Sequence, residues 1–405
     1  MLIVGLLTMS PTYTSTAQEN QSWVVIALLA FTAFIFNTTE FIPIGLLPNI
    51  AVSLQIPEAQ TGLLMTIYAW SVTILSLPLT LATAQMERKK LLISLFLLFI
   101  IAHILSAFSW SYYSLMSSRL IVACSHAVFW SITIPLAVRL APLGNRAKAL
   151  AFMVTGSSLA TVLGVPLGTA IGQHVGWRIT FGLIAIIAMV ITLLLLSRLP
   201  KLPSKNSGDL KSLPSLVKRP TLIQAFLLTM MTITGYFCTY TYIAPYLREA
   251  GGFDEGFSII VLFTMGVAGI LGSIIFTKLS RITHTHTFTI GAGLMVTCFL
   301  VLQVAQRYAF SVLVVALCWG IAITLVYMSL QSKILEVAAD AADIATSIYS
   351  ATFNVGIGSG AFIGSLVLNH LGVVHTPHVG AAFVATALLF FLLVTRKIWI
   401  KTKYF

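Results

Sequence analysis

Residues 199–220 read LPKLPSKNSGDLKSLPSLVKRP and form the longest polar segment of this chain. The segment carries five basic residues, one acid and four prolines, which is typical of a loop rather than of a folded domain. Apolar stretches of nearly equal total length lie on either side of it. The sequence therefore predicts two blocks, residues 23–198 and 221–396, joined by a linker at 199–220.

The composition excludes an ordinary soluble protein. Of 405 residues, 58% are hydrophobic and only 8% are charged, whereas soluble domains carry about 25% charged residues. Each block contains six apolar runs of about 20 residues, long enough for a helix to cross roughly 30 Å of hydrocarbon. We expect an all-α membrane protein with twelve transmembrane helices in two pseudo-symmetric six-helix bundles. The runs lie near 23–47, 61–83, 91–110, 113–138, 148–172, 178–198, 221–247, 257–278, 287–305, 310–333, 344–369 and 378–396.

The basic residues are distributed unevenly between the two sides of the expected membrane. The net charge is +12, and with a cytoplasmic N-terminus all Lys and Arg except Arg178, Arg248, Arg307 and Arg119 lie on the cytoplasmic side. Positively charged loops mark that side of membrane proteins. We therefore expect cytoplasmic tails at 1–22 and 397–405. No nucleic-acid partner is expected, since no soluble domain presents the basic residues.

Small residues recur every four positions in corresponding spans of the two blocks. Such stripes let helix backbones approach closely, and that packing role requires no further function. Their equivalent places in both blocks favour an internal repeat. The glycines are Gly156, Gly164, Gly168 and Gly172 in the fifth span and Gly356, Gly360 and Gly364 in the eleventh.

Glu40 is the only acidic residue inside any of the apolar runs. A carboxylate at bilayer depth costs several kcal/mol unless it is paired or protonated, so it usually marks an ion pathway or a proton relay. The alternative is a carboxyl group that only joins neighbouring helices. Asn37 lies three residues before it on the same helix face, and is a candidate for binding substrate.

Arg119, in the fourth span, lies at a depth similar to that of Glu40, counting 1.5 Å per helical residue from the expected outer surface. It shares one helical stripe with Ala123, His126 and Trp130. We expect Arg119 and Glu40 to face each other across a cavity. Burial disfavours the charged form of a carboxyl group and a nearby guanidinium favours it. An arginine that approaches and retreats would make Glu40 release and bind a proton in turn.

His126 is the second candidate for proton coupling, because histidine changes charge near neutral pH and also binds substrates through hydrogen bonds. A lone histidine in a membrane span is also often a packing residue, which is our interpretation of His103. Aromatic residues are candidates for binding a sugar or an amphiphile, although each one singly is more often an interfacial or packing residue. They are Tyr68, Trp70, Trp130, Tyr236, Tyr240, Trp319 and Tyr327.

Motifs of ATP-driven and metal-dependent proteins are missing from the sequence. There is no G-x-x-x-x-G-K-[ST] phosphate loop and no H-E-x-x-H zinc helix. The four cysteines show no paired spacing. We expect no cofactor, no metal and no enzymatic activity. A polytopic membrane enzyme and a passive channel are the distant alternatives.

Several stretches resemble the bacterial drug:proton antiporter branch of the major facilitator superfamily. TTEFIPIGLLPNI at 38–50 matches its first span, and AFMVTGSSLATVLGVPLGTAIGQHVGWRITF at 151–181 is similar to its antiporter motif. With RLIVACSHAVFWSIT at 119–133 and NVGIGSGAFIG at 354–364, the chain closely resembles SotB-type sugar efflux transporters.

The resemblance implies a major facilitator fold that alternates between inward-open and outward-open states around a central cavity. It implies a monomeric, proton-coupled exporter in the bacterial inner membrane, with sugars such as arabinose, lactose or thiogalactosides as substrates. Multidrug export is the close alternative. The acid and the arginine of the family correspond to Glu40 and Arg119. The antiporter motif corresponds to Gly156, Gly164, Pro166, Gly168 and Gly172.

The turn between the second and third spans departs from the family pattern D-R-x-G-R-R. The aspartate position is Gln85 and the glycine position is Arg88, while the basic pair Lys89 and Lys90 is kept. This puts the usual charge relay of the cytoplasmic gate in doubt. Glu87 is the candidate substitute for the missing aspartate.

Overall fold

The computed structural model describes residues 16–142, 145–203, 216, 218–279 and 284–401. Over these ranges the chain consists of helices joined by short turns, without a strand. Most of the expected linker and the ends of both expected tails lie outside them. The α-helices are α1 Thr16–Leu54, α2 Glu58–Ala82, α3 Arg88–Ala107, α4 Tyr112–Leu140, α5 Arg146–Leu159, α6 Val165–Ile171, α7 Trp177–Arg198, α8 Pro220–Tyr240, α9 Ile243–Glu249, α10 Glu255–Leu279, α11 His284–Ala305, α12 Ala309–Val337, α13 Ala342–His370, α14 Thr376–Phe390 and α15 Arg396–Lys401.

Within the described ranges, eleven helical stretches are long and apolar enough to cross a membrane. One of them, Lys148–Arg198, has 51 residues and would measure about 77 Å if it were straight, more than twice the membrane's hydrocarbon thickness. It bends back at Gly176, whose φ of 115° is open to glycine but strained for other residues. After this bend α7 packs on α3. The eleven stretches thus contain twelve crossings, and the expected fold class is confirmed.

The first helix is longer at both ends than the apolar run predicted. It begins at Thr16 rather than near Trp23, and it ends at Leu54 although Pro43 and Pro48 lie inside it. Helix interiors in membranes tolerate proline when neighbouring helices satisfy the freed backbone groups. Gln55, with φ of 53°, then takes the left-handed conformation that commonly terminates helices.

Each half of the chain has its own hydrophobic core. One core is formed by residues of the first half and by Leu199 at the start of the linker. The other is formed mainly by the second half and includes a few residues of α1, α2 and α6, among them Ile44 and Met65. The two bundles therefore fold around separate centres and share a seam. Along this seam α2 packs on α13, and α10 packs on α6 and on the π-helical turn Ala160–Gly164.

The glycine stripes occupy equivalent positions in the two halves. A Cβ atom added to any of the four stripe glycines of the fifth span would overlap atoms of α1. A Cβ atom added to Gly356, Gly360 or Gly364 of α13 would overlap atoms of α8. The stripes therefore serve close helix packing, as the small side chains predict. The facing residues of α1 are Ala30, Thr38, Ile42 and Leu46, in the order of Gly156, Gly164, Gly168 and Gly172.

Two polar side-chain bridges between the halves lie at one end of the molecule, while Thr73 of α2 donates to the Ala351 carbonyl of α13 at 3.2 Å further along the seam. We call this end the loop face, because the loop between α1 and α2 belongs to it, and the end that holds Thr16 the terminal face. Arg248 Nη2 lies 2.5 Å from Glu58 Oε1, and Asn49 Nδ2 donates to Glu255 Oε2 at 3.0 Å. These contacts hold the loop ends of α1 and α2 against the second half.

Candidate functional site

Glu40 lies in the middle of α1 and is 5% exposed. His126 on α4 lies beside it, with its Nε2 3.9 Å from Glu40 Oε2. His126 is also buried, with 3% of its surface exposed. The helix packing of the first half therefore brings together the acid and the histidine that the sequence singled out.

Arg119 binds the main chain beside Glu40. Its Nη1 donates to the Thr39 carbonyl oxygen at 3.0 Å, and its guanidinium lies 4.3 Å from the centre of the Tyr68 ring. Within the described part of the chain, the guanidinium forms no ion pair with the Glu40 carboxylate at 4.0 Å or less, and its Nε and Nη2 have no hydrogen-bond partner. Arg119 and Glu40 are thus neighbours at one depth, joined through the backbone.

His103 holds the side chain of the same threonine. Its Nε2 lies 2.5 Å from Thr39 Oγ1, and its Nδ1 lies 2.8 Å from the Phe99 carbonyl oxygen. A carbonyl only accepts, so Nδ1 carries the proton and neutral Nε2 accepts from the threonine hydroxyl. Thr39 is therefore fixed by α3 through His103 and by α4 through Arg119. The sequence marked His103 only as a packing residue, and nothing in it pointed to Thr39.

His126 is engaged at both ring nitrogens. Trp130 Nε1 donates to its Nε2 at 2.9 Å, and the Tyr68 hydroxyl oxygen lies 2.5 Å from its Nδ1. Tyr68 is fully buried. Two of the expected substrate-binding aromatics, Tyr68 and Trp130, are thus hydrogen-bonded to the histidine.

Asn37 joins α1 to α5. Its side-chain amide donates to the Ser157 hydroxyl, which belongs to the sequence resembling the antiporter motif. The amide expected to bind substrate is therefore occupied by the protein in this conformation. Ser157 carries no signal of its own beyond its place between Gly156 and Gly164.

A second aromatic group is formed by α8 and α12. The ring centres of Tyr236 and Tyr240 are 5.0 Å apart, and Trp319 lies 5.6 Å from Tyr236. Among the described residues, the indole nitrogen of Trp319 has no hydrogen-bond partner. Phe237 stacks at 6.0 Å on Phe41, the neighbour of Glu40, so this group reaches the acid-bearing helix.

The remaining aromatic candidates lie elsewhere. Tyr327 packs with Tyr349 at 5.8 Å and is not part of the group around Trp319. Trp70 packs against Phe362 of α13 at 5.8 Å. The expected set therefore divides into a hydrogen-bonded pair beside Glu40, a group around Trp319 and two separate packing contacts.

The turn at residues 85–90 binds the beginning of the linker. Glu87 accepts from the backbone N–H groups of Lys89 at 2.9 Å, Lys90 at 3.0 Å and Leu202 at 2.6 Å. Arg88 N in turn donates to the Leu202 carbonyl at 2.9 Å. Partial burial raises the pKa of Glu87, but the three N–H donors together lower it by more. The pKa of Glu87 therefore lies below its ordinary value. Gln85 is exposed.

The arrangement around Glu40 is suited to holding and moving a proton. An acid and an imidazole lie 3.9 Å apart, and Arg119 and His103 fix Thr39, the residue before Glu40. Metal binding has no comparable basis: in the described ranges no three His, Cys, Asp or Glu side chains are grouped to hold an ion.

Comparison with known proteins gives matches over most of the chain. Residues 29–343 match the family described as the Major Facilitator Superfamily. The fold is similar to that of a bacterial homologue of the human lysosomal transporter Spinster, inward-facing and unoccupied, with TM-score 0.74, 14% identity, and coverage of 96% of this chain and 99% of that one. It is also similar to a POT family transporter in complex with 5-aminolevulinic acid, with TM-score 0.75, 13% identity, and coverage of 93% and 96%. At these identities the two structures inform on the fold alone.

Proposed function

This chain belongs to the Major Facilitator Superfamily, and we propose that it is a proton-coupled exporter of sugars. Membership indicates a multi-pass membrane transporter, which supports the expectation that the protein is not an enzyme. The proposed substrates are arabinose, lactose and thiogalactosides, and the proposed location is the bacterial inner membrane with both termini in the cytoplasm. Export is supported by the resemblance of 151–181 to an antiporter motif, and the orientation by the distribution of basic residues.

The observation that carries proton coupling is the position of Glu40. A buried acid without a bonded cation is costly in its charged form, so it binds a proton until a partner or water reaches it. His126 lies 3.9 Å away, and Arg119 is anchored one residue along the helix. A movement of α4 relative to α1 would bring either partner closer and release the proton. An antiporter requires such a cycle, in which one group binds a proton in one state and releases it in the other.

The aromatic group of the second half supports a ring-shaped substrate. Indole and phenol rings have flat apolar faces, and among the described residues the Trp319 N–H has no acceptor. Trp319 and Tyr236 are buried in this conformation, so substrate would reach them only after the cavity opens. A sugar ring stacks on such faces with its C–H groups, but so does a lipophilic drug. Multidrug:proton export is therefore the second candidate function. The vesicle experiment below distinguishes it from sugar export.

The test uses inverted membrane vesicles, acidified inside by respiration and containing a fluorescent pH probe. Arabinose, isopropyl thiogalactoside and a lipophilic cation are added in turn, to wild type and to Glu40→Gln. We expect the sugars to release protons in the wild type only. A response to the cation alone would assign the protein to multidrug export. A sugar response that persists in Glu40→Gln would contradict the role of Glu40.

A further inference from the structure

We infer that Trp130 is a positioning residue that prevents proton transfer from Glu40 to His126 until substrate is bound. Its indole N–H occupies the lone pair of His126 Nε2, and a substrate that draws the indole away makes that lone pair available. The inference rests on the proposed function and adds to it the contact through which substrate and proton are coupled.

The hydrogen bonds define the protonation of His126 in this conformation. The indole nitrogen of tryptophan only donates, so the bond from Trp130 Nε1 at 2.9 Å requires an unprotonated Nε2. A neutral imidazole then carries its proton on Nδ1, which faces the Tyr68 hydroxyl oxygen at 2.5 Å. Tyr68 accepts this proton in a hydrogen bond. His126 is thus held as the neutral Nδ1–H tautomer from two sides.

Glu40 and Trp130 compete for the same nitrogen. Glu40 Oε2 lies 3.9 Å from His126 Nε2, the atom that accepts from Trp130. An imidazole nitrogen has one lone pair in the ring plane and cannot accept from both. Transfer therefore requires that the Trp130 bond be broken first. The Glu40 O–H bond then breaks and an N–H bond forms on Nε2, which leaves a carboxylate beside an imidazolium without any change in total charge.

Trp130 is the member of this cluster that a substrate can reach. Its side chain is partly exposed, whereas Tyr68, Arg119 and His126 are buried. The charged and titratable groups that face His126 are Glu40 from α1, Tyr68 from α2 and Arg119 from its own helix. None of these contacts can be rearranged by substrate as directly as a bond donated by a partly exposed indole.

The substitution Trp130→Phe tests the inference, because it keeps an aromatic ring and removes only the N–H donor. The full-length protein is placed in proteoliposomes with an internal pH dye and an imposed pH gradient, without substrate. We expect the substrate-free proton flux to rise about fivefold, the factor that corresponds to the loss of one hydrogen bond. Trp110→Phe, at a residue whose side chain is 81% exposed, is the matched control and should leave the flux unchanged.

A spectroscopic measurement on the wild type keeps the inference testable even if the variant folds poorly. Histidine ¹⁵N NMR, with His126 assigned by the His126→Gln difference, should show a protonated Nδ1 and a hydrogen-bonded, unprotonated Nε2. Proton on Nε2 would overturn the inference. So would a Trp130→Phe protein that shows no added proton flux while the wild type responds to thiogalactoside. A wild type whose proton flux ignores every substrate contradicts the proposed function itself.

Discussion

The residues around Glu40 fall into two groups with different tasks. Arg119 and His103 bind the backbone and side chain of Thr39 and so fix the position of α1. His126, with Tyr68 and Trp130, offers a nitrogen near the carboxyl group. In the proposed mechanism the first group holds the backbone in place, and the second group is the one that would exchange protons.

At Thr39, removal of the hydroxyl leaves the Nε2 of His103 without a partner in the protein interior. We expect Thr39→Val to lower the free energy of unfolding by about 1–3 kcal/mol, the usual cost of a buried unsatisfied group. Thermal unfolding in detergent, followed by tryptophan fluorescence, measures it. Thr39→Ser keeps the hydroxyl and should remain within about 1 kcal/mol of wild type. Equal losses in both variants would show that the His103 bond is not the cause.

At the scale of helices, the fifth span and α1 form one closely packed unit. The glycines of the span contact α1 at intervals of one or two turns, and the π-helical turn Ala160–Gly164 lies just before Pro166. Proline lacks an N–H and crowds the carbonyl four residues earlier, so a widened turn at this place accommodates it. The motif that resembles an antiporter signature is therefore the surface on which the Glu40 helix rests.

The glycine contacts predict a graded response to alanine. In Gly156→Ala the new methyl group overlaps the backbone carbonyl of Ala30, whereas in Gly168→Ala it meets the flexible end of Ile42. We expect a larger loss of thermal stability and transport for Gly156→Ala than for Gly168→Ala. Gly293→Ala, where nothing lies within 4 Å, should be neutral. A reversed order for the two fifth-span variants would contradict this packing.

Glu87 at the N-terminus of α3 makes the stability of the protein depend on pH. Glu87 has a pKa below the ordinary value because backbone N–H groups bind its carboxylate. Its contribution to stability is complete above the unfolded pKa of about 4.3 and is lost as pH falls through the lower, folded pKa. We expect Glu87→Gln to be less stable than wild type by about 1 kcal/mol near neutral pH, with the difference vanishing on acidification. A difference that grows as pH falls would contradict the assignment.

For the whole molecule, the contacts between the halves indicate which end is held closed in this conformation. Polar bridges at the loop face join α1 and α2 to the second half. Gln173 adds a hydrogen bond to Ser258 at 3.1 Å. In the proposed alternating-access cycle, these bridges would have to break when the loop face opens. In that cycle the ion pair of Arg248 with Glu58 would favour the state in which the loop face is closed.

We predict that Glu58→Gln favours opening of the loop face. An ion pair of partly exposed groups contributes about 1 kcal/mol at most, so the population of the open state should increase by up to about fivefold. Distances between spin labels placed in the loop after α1 and in the loop before α10 report it. Glu249→Gln, whose carboxylate also lies near Arg248 but belongs to the same half, is the control. Equal distance distributions in all three proteins would contradict a gating role.

The sequence predicted the features that depend only on residues close together in the chain. Apolar runs marked the crossings, and a single acid in such a run marked Glu40. Partners across helices depend on how each helix is rotated about its axis, which a single sequence does not reveal. The depth of Arg119 was therefore predictable, but its bond to the Thr39 carbonyl was not. The bonds of Asn37 to Ser157 and of His103 to Thr39 are of the same kind.

The most direct test of proton coupling at Glu40 compares two transport modes in proteoliposomes. Wild type and Glu40→Gln are assayed for thiogalactoside uptake driven by a pH gradient, and for exchange of labelled against unlabelled thiogalactoside without a gradient. Because exchange requires binding and alternation but no net proton movement, we predict that Glu40→Gln loses gradient-driven uptake and keeps exchange. Gradient-driven uptake at the wild-type rate in Glu40→Gln would contradict the account.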